Sequence, residues 1–163
     1  MGLFSKITNK VTSKDDGKTS VETYGYVGQD GLTLEQADHL AAAYQAAGQA
    51  DDVGQQVNAA ARLLAGGRFQ EAIEAWHGIG ERYPERRAEA VSQIGAARYF
   101  LGDYEGAITD YVAARDGGFD ADMMDDNVWE ACEALAQQGD PTAGQRYLAA
   151  FPDGAYAKKA ARL

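Results

Sequence analysis

The chain has 163 residues, 45% of them hydrophobic, with a formal charge of −10 and a single cysteine. That length holds one domain with a real core, while no apolar run reaches the roughly 20 residues that cross a bilayer, and the N-terminus lacks the apolar stretch of about 7–15 residues of a secretory signal. One cysteine excludes an intrachain disulfide framework and clustered-thiolate metal sites, and the acidic excess disfavours nucleic acid and anionic lipid, so a cytoplasmic protein meeting a cationic partner is expected.

Residues 1–31 read as a flexible N-terminal segment. Residues 1–20 hold four lysines and two aspartates, a net of +2, which leaves −12 on residues 21–163. Leu3, Phe4, Ile7 and Val11 fall on one helical face with Lys6 and Lys10 elsewhere. Such a short amphipathic helix would touch a membrane surface or a partner only weakly, and a plain tail is the simpler reading. The lipidation pattern that begins Met-Gly asks for Ser or Thr where Lys6 stands. Lys14 to Ser20 is polar and glycine-containing like a linker, and Tyr24 to Val27 is at most a short extended piece. Gly25 to Gly31 lacks the lysine-serine or lysine-threonine ending of a phosphate loop.

From residue 32 to 163 the texture is helical. Thr33-Leu-Glu-Gln36 has the capping-box pattern, which predicts a first helix over about 33–47 that ends before Gly48. The chain then repeats itself. Gly67-Arg-Phe-Gln-Glu-Ala-Ile73 and Gly102-Asp-Tyr-Glu-Gly-Ala-Ile108 match 35 residues apart, and a weaker copy starts at Gly139, 37 residues further on. Self-similarity at this period means stacked supersecondary units. Each unit reads as two helices joined by a tight turn: Val91, Ile94, Gly95, Ala97 and Leu101 form one stripe, Gly102 stops the helix, and Asp103 caps the next. In the third unit Asp140 before Pro141 predicts a capped helix with proline at its first position.

This arrangement resembles the tetratricopeptide repeat (TPR). Ala60, Gly95 and Cys132 match the small residue of the family's first helix, and Gly67, Gly102 and Gly139 its turn glycine. Phe69 and Tyr104 match the aromatic after the turn, Ala72, Ala107 and Gly144 the alanine of the second helix, Trp76, Tyr111 and Leu148 its large packing residue, and Pro84 the closing proline. The likeness covers about residues 53–156 and weakens in the third unit, while Tyr156 to Leu163 reads as a short cationic capping helix. It implies an all-α, right-handed superhelix of stacked antiparallel hairpins, about three units plus flanking helices, whose first helices line a concave groove for a peptide.

Counted from the repeat phase, the groove would present Val57, Ala61 and Leu64 from the first unit, Ser92, Ala96, Tyr99 and Phe100 from the second, and Trp129, Glu130 and Glu133 from the third. Some members of the family hold a C-terminal carboxylate with inward-facing cations. The matching positions here are Val57, Ala61, Gln93, Asp126 and Glu130, none of them cationic, so binding of that kind is expected to be absent. A partner segment mixing apolar anchors with Lys or Arg suits the surface better, the aromatics supplying contact area and the glutamates pairing with basic residues.

Chemistry-bearing residues offer little else. Cys132 reads as a small buried filler, and His39 and His77 stand in no spacing that suggests a metal or a dyad. Asp120 to Asp126 lacks the mid-loop glycine and closing glutamate of a calcium loop, Ala131 standing where that glutamate belongs. Trp76 reads as core. The favoured function is therefore a scaffold or adaptor with no catalysis, no metal and no cofactor. The alternatives are a small acidic chaperone for a secreted client, or an envelope-assembly component, the latter because Phe151-Pro-Asp-Gly-Ala-Tyr-Ala resembles repeat endings of such proteins.

Overall fold

The computed structural model describes residues 53–163, preceded by the backbone of a two-residue antiparallel pair, β1 (Lys18–Thr19) and β2 (Leu32–Thr33), with Lys18 opposite Thr33. The amphipathic segment at residues 2–11 and the helix expected over 33–47 lie outside the described residues. Within 53–163 every regular element is helical: α1 (Val53–Ala65), α2 (Phe69–Arg82), a 3-10 turn (Pro84–Arg86), α3 (Arg87–Phe100), α4 (Tyr104–Asp116), α5 (Ala121–Gln137), α6 (Ala143–Ala150) and α7 (Ala157–Ala160). Each helix packs on the next in sequence. No helix among the described residues is long and apolar enough to cross a membrane.

The bends between helices are chemically alike. After α1 the Gly67 amide donates to the Leu64 carbonyl at 3.1 Å and the Arg68 amide to the Leu63 carbonyl at 2.9 Å. The same pair closes α3 through Gly102 and Asp103, and α5 through Gly139 and Asp140. These bonds satisfy carbonyls that a helix end leaves without partners, and they require a left-handed residue, which Gly67 (φ 76°), Gly102 (φ 82°) and Gly139 (φ 90°) supply. Gly67 and Gly102 therefore occupy equivalent bends between packed helices. A fourth bend of this type ends α4, where Gly118 (φ 90°) precedes Phe119, whose amide donates to the Ala114 carbonyl. It stands where the family pattern leads one to expect proline.

Starts are set by side chains at two of these bends. The Asp103 carboxylate accepts from the Gly106 amide at 3.0 Å, as its position predicts, and Asp120 accepts from the amides of Asp122 and Met123. The third unit differs from its sequence reading. Asp140 accepts from the Thr142 amide and hydroxyl, both at 2.7 Å, so it closes a turn, and α6 begins at Ala143 rather than at Pro141.

Small residues bring helices together and large ones fill what remains. Ala60 and Cys132 are fully buried and Gly95 is buried with them at the matching position of α3. One large side chain per second helix is wholly enclosed: Trp76 on α2, Tyr111 on α4 and Tyr147 on α6. The third of these is Tyr147 rather than Leu148, and its partner four residues earlier is Ala143 rather than Gly144. The late start of α6 explains this: the turn at Pro141 leaves one residue fewer between Gly139 and the packing alanine than between Gly102 and Ala107. Arg98 of α3 donates to Asp110 of α4 at 2.8 Å, yet burial pushes the Asp110 carboxyl up to about 6 against the pull of that guanidinium.

Alternate helices also meet. Arg146 of α6 pairs with Glu105 of α4 at 2.8 Å, and Arg115 of α4 donates to the Ala150 carbonyl while its guanidinium lies 4.7 Å from the centre of the Phe151 ring. Beyond α6 the chain folds back on α5. The buried Asp125 carboxylate accepts from the Tyr147 hydroxyl and, at 2.7 Å, from the Ala155 amide, while the Tyr147 oxygen accepts from the Tyr156 amide at 3.0 Å. Tyr156 in turn donates to Asp126 at 2.8 Å and stacks on Trp129, ring centres 5.1 Å apart and planes 3° from parallel. The short α7 then lies on α6, its Ala160 against Gly144.

Candidate functional site

The ten groove positions counted from the repeat phase divide sharply by exposure. Ala61, Leu64, Ser92, Ala96 and Trp129 are all 5% exposed or less. They lie inside the packing and offer a ligand almost no surface. Trp129 is enclosed by Tyr147 and Tyr156, which settles it as core. Val57, Tyr99, Phe100 and Glu130 are half-buried, and Glu133 is exposed.

Two of the accessible residues, Tyr99 and Phe100, gather with Phe69 and Tyr104 around one end of α3. Tyr99 and Phe100 are held edge to face at 5.6 Å, Phe100 stacks on Phe69 at 5.1 Å, and Tyr99 meets Tyr104 at 5.1 Å. Phe69 and Tyr104 are the first residues of α2 and α4, each just past a glycine bend, so the repeat itself delivers the rings that flank Tyr99 and Phe100. Such edge and offset contacts add roughly 0.5–1.5 kcal/mol beyond the area they bury. The result is a continuous row of rings, Phe69, Phe100, Tyr99 and Tyr104.

The acidic side of the face comes from α5. Asp126, Glu130 and Glu133 recur at four- and three-residue spacing and so share one side of that helix. Burial pushes the Tyr99 hydroxyl up to about 12, and the negative charges of Glu130 and Glu133 reinforce it, so the α5 carboxylates lie within electrostatic reach of the α3 ring. Glu130 stands in the middle of this row. Burial, followed by Asp126 and Glu133, pushes its carboxyl up to about 7, and its Oε2 is buried with no hydrogen-bond partner among the described residues. No arginine or lysine of the described residues is among the charges acting on it. A carboxylate so placed is a ready acceptor for a cation brought by something else.

The rest of the acidic stretch has structural duties. Asp120 caps α5, Asp125 and Asp126 receive the C-terminal turn, and Asp140 closes the bend before α6. Among the described residues no group of three or more His, Cys, Asp or Glu side chains is arranged to hold a metal ion. Cys132 is fully buried, and burial pushes its thiol up to about 12, so thiolate is scarce at neutral pH. An open hollow of about 240 Å³ between α2 and α3 is lined by Trp76, His77 and Glu81 of α2 and by Arg87, Ala90, Val91 and Ile94 of α3.

Residue phase did not reveal the latch of Asp125, Tyr147 and Tyr156. The signal that pointed to it was the segment Phe151 to Ala157, read as a family resemblance rather than as a partner for α5. Comparison of the chain with protein-family models, curated proteins and solved structures finds no match.

Proposed function

We propose that this chain is a TPR-like scaffold of stacked hairpins that binds a peptide segment of another protein, carrying apolar and basic residues, on the face shared by α3 and α5. The observation that carries the reading is the pairing of an aromatic row with Glu130, a half-buried carboxylate whose Oε2 has no partner among the described residues. An apolar anchor would cover Tyr99 and Phe100, and a lysine or arginine one or two turns away would meet Glu130 and Glu133.

Two features support the superhelical arrangement. Equivalent bends recur at Gly67, Gly102 and Gly139, and alternate helices α4 and α6 meet through Arg146 and Arg115, while the charges of Glu130 and Glu133 on α5 reach Tyr99 on α3. In such a stack the first helices form one layer and the second helices the other. The reading is of a non-catalytic, cytoplasmic adaptor without metal or cofactor.

Fluorescence anisotropy with a labelled peptide of alternating leucine and lysine pairs tests it. Binding should weaken at least tenfold in a folded Glu130→Gln, Glu133→Lys variant, and likewise in Tyr99→Ala. Equal affinity across wild type and both variants, or preference for an acidic peptide, would remove this face from the function.

A further inference from the structure

We infer that the face formed by Phe100, Tyr99, Glu130 and Glu133 takes up residues 2–11 of the same chain, which act as a built-in ligand that an external peptide must displace. The inference rests on the peptide-binding reading above and names one occupant.

Complementarity of charge is the first ground. The stripe on α5 carries Asp126, Glu130 and Glu133, within a stretch from Asp116 to Gln145 that holds eight carboxylates and no Lys or Arg. Only six lysines exist in the chain, and four of them lie within its first 18 residues. Arginines of the helical region are engaged elsewhere: Arg68 with Glu71, Arg86 with Glu89, Arg98 with Asp110 and Arg146 with Glu105. Lys159 lies over the Trp129 and Tyr156 rings and is not among the charges acting on Glu130, and the N-terminal segment is the most lysine-rich stretch of the chain.

Pattern is the second ground. Projected at about 100° per residue, Leu3, Phe4, Ile7 and Val11 span one sector, and Lys6 and Lys10 form a row along one side of it. The face has the same layout in reverse sign, a row of rings with a row of carboxylates beside it. An apolar sector over Tyr99 and Phe100 brings the lysine row over Glu130 and Glu133.

Length is the third. Residues 12–52, 41 in all, separate this segment from α1. Because Lys18 pairs with Thr33, residues 12–18 and 33–52 set the reach, and even at a helical rise of about 1.5 Å per residue they span roughly 40 Å, about three times the radius of about 13 Å of a 100-residue domain. Tethering supplies an effective concentration of order millimolar. A segment with an intrinsic Kd of about 100 μM would then weaken a competitor about tenfold.

Two measurements on the full chain test the inference. In the first, a fluorescein-labelled synthetic peptide of residues 2–11 is titrated into wild type and into a Leu3→Ser, Phe4→Ser, Ile7→Ser variant. The variant should bind about tenfold more tightly, and adding Glu133→Lys should abolish the gain. In the second, equal amounts of ordinary and nitrogen-15 chain are mixed and treated with a carbodiimide, and links from Lys6 or Lys10 to Glu130 or Glu133 are read by mass spectrometry. Links within chains of one isotope are expected. Mixed-isotope links would assign the occupant to a second copy, and absent links or equal affinities would show that the segment binds elsewhere; either result overturns the inference. If the peptide of residues 2–11 binds neither protein while the leucine-lysine peptide still binds in a Glu133-dependent way, the inference falls and the general function stands. If neither peptide binds, both fall.

Discussion

Adding one methyl group at Gly95 measures how closely α3 and α4 are packed. A Cβ there would stand 2.8 and 3.0 Å from two carbons of the Tyr111 ring and 3.1 Å from the Asp110 Cβ, and Tyr111 is fully buried and has no room to swing away. Overpacking of this kind costs about 1–3 kcal/mol, whereas replacing a mid-helix glycine by alanine returns about 1 kcal/mol. Gly80 on α2 provides the control. Its Cβ would meet only the Ala90 methyl, at 3.3 Å, and the Arg87 Cα, at 3.8 Å, so it receives nearly the same helix benefit with a contact that small shifts relieve. The propensity term cancels between the two variants, and Gly95→Ala should be less stable than Gly80→Ala by about 2 kcal/mol, equivalent to about 4–8 °C in Tm for a chain of this length. Urea denaturation followed by circular dichroism reads the difference. Two variants of equal stability would mean that α3 and α4 are not in the close contact inferred from the repeat.

Glu130 gives a pH prediction with a definite sign. Its carboxyl is raised from 4.5 to about 7 in the folded chain, so the folded state holds the proton more firmly and stability falls as pH rises through that interval; Asp110, raised from 3.8 to about 6, acts in the same direction. Thermal melts from pH 4.5 to 8 should show a smaller fall for Glu130→Gln than for wild type, and a basic peptide should bind wild type better at pH 8 than at pH 6; parallel melting profiles would contradict the raised value. Tyr147→Phe removes the hydroxyl that donates to Asp125 and accepts from the Tyr156 amide, and should cost about 1–3 kcal/mol. Amide exchange localises that loss: protection should drop at Ala155 and Tyr156, and a uniform drop across α1 and α2 would argue against a latch. Cys132 should resist a thiol reagent in the native state and react only as the chain unfolds, so rapid native labelling would contradict its burial.

Local chemistry carried the parts of the fold that sequence made legible. A glycine just past an amphipathic stripe supplies the positive φ of a helix stop, and Asp103 after Gly102 supplies the next cap, so both bends can be placed without knowing what lies across from them. The bend at Gly118 is of the same kind, and was obscured because the repeat pattern directs attention to a proline where Phe119 stands. Asp140 misleads for a related reason: a carboxylate before proline suits a helix start, but Thr142 offers it two closer donors. Groove positions were harder to assign. Repeat phase tells which way Ser92 and Ala96 point and says nothing about what covers them, and only packing shows that they are enclosed while Tyr99 and Glu133 keep surface. The partnership of Asp125 with Tyr147, 22 residues later, depends on the return of the chain after Pro152, which has no periodic signature.

The four glycine bends also make a statement about handedness. A carbon built on Gly67, Gly102, Gly118 or Gly139 would meet nothing within 4 Å, so what bars an ordinary side chain there is the mirror sense of the backbone and not a lack of room. A D-amino acid reverses that restriction. D-alanine introduced at these positions by chemical ligation would favour the native bend while removing conformations from the unfolded chain. The corners of this all-L protein are thus the places where the backbone conformation favours the opposite enantiomer.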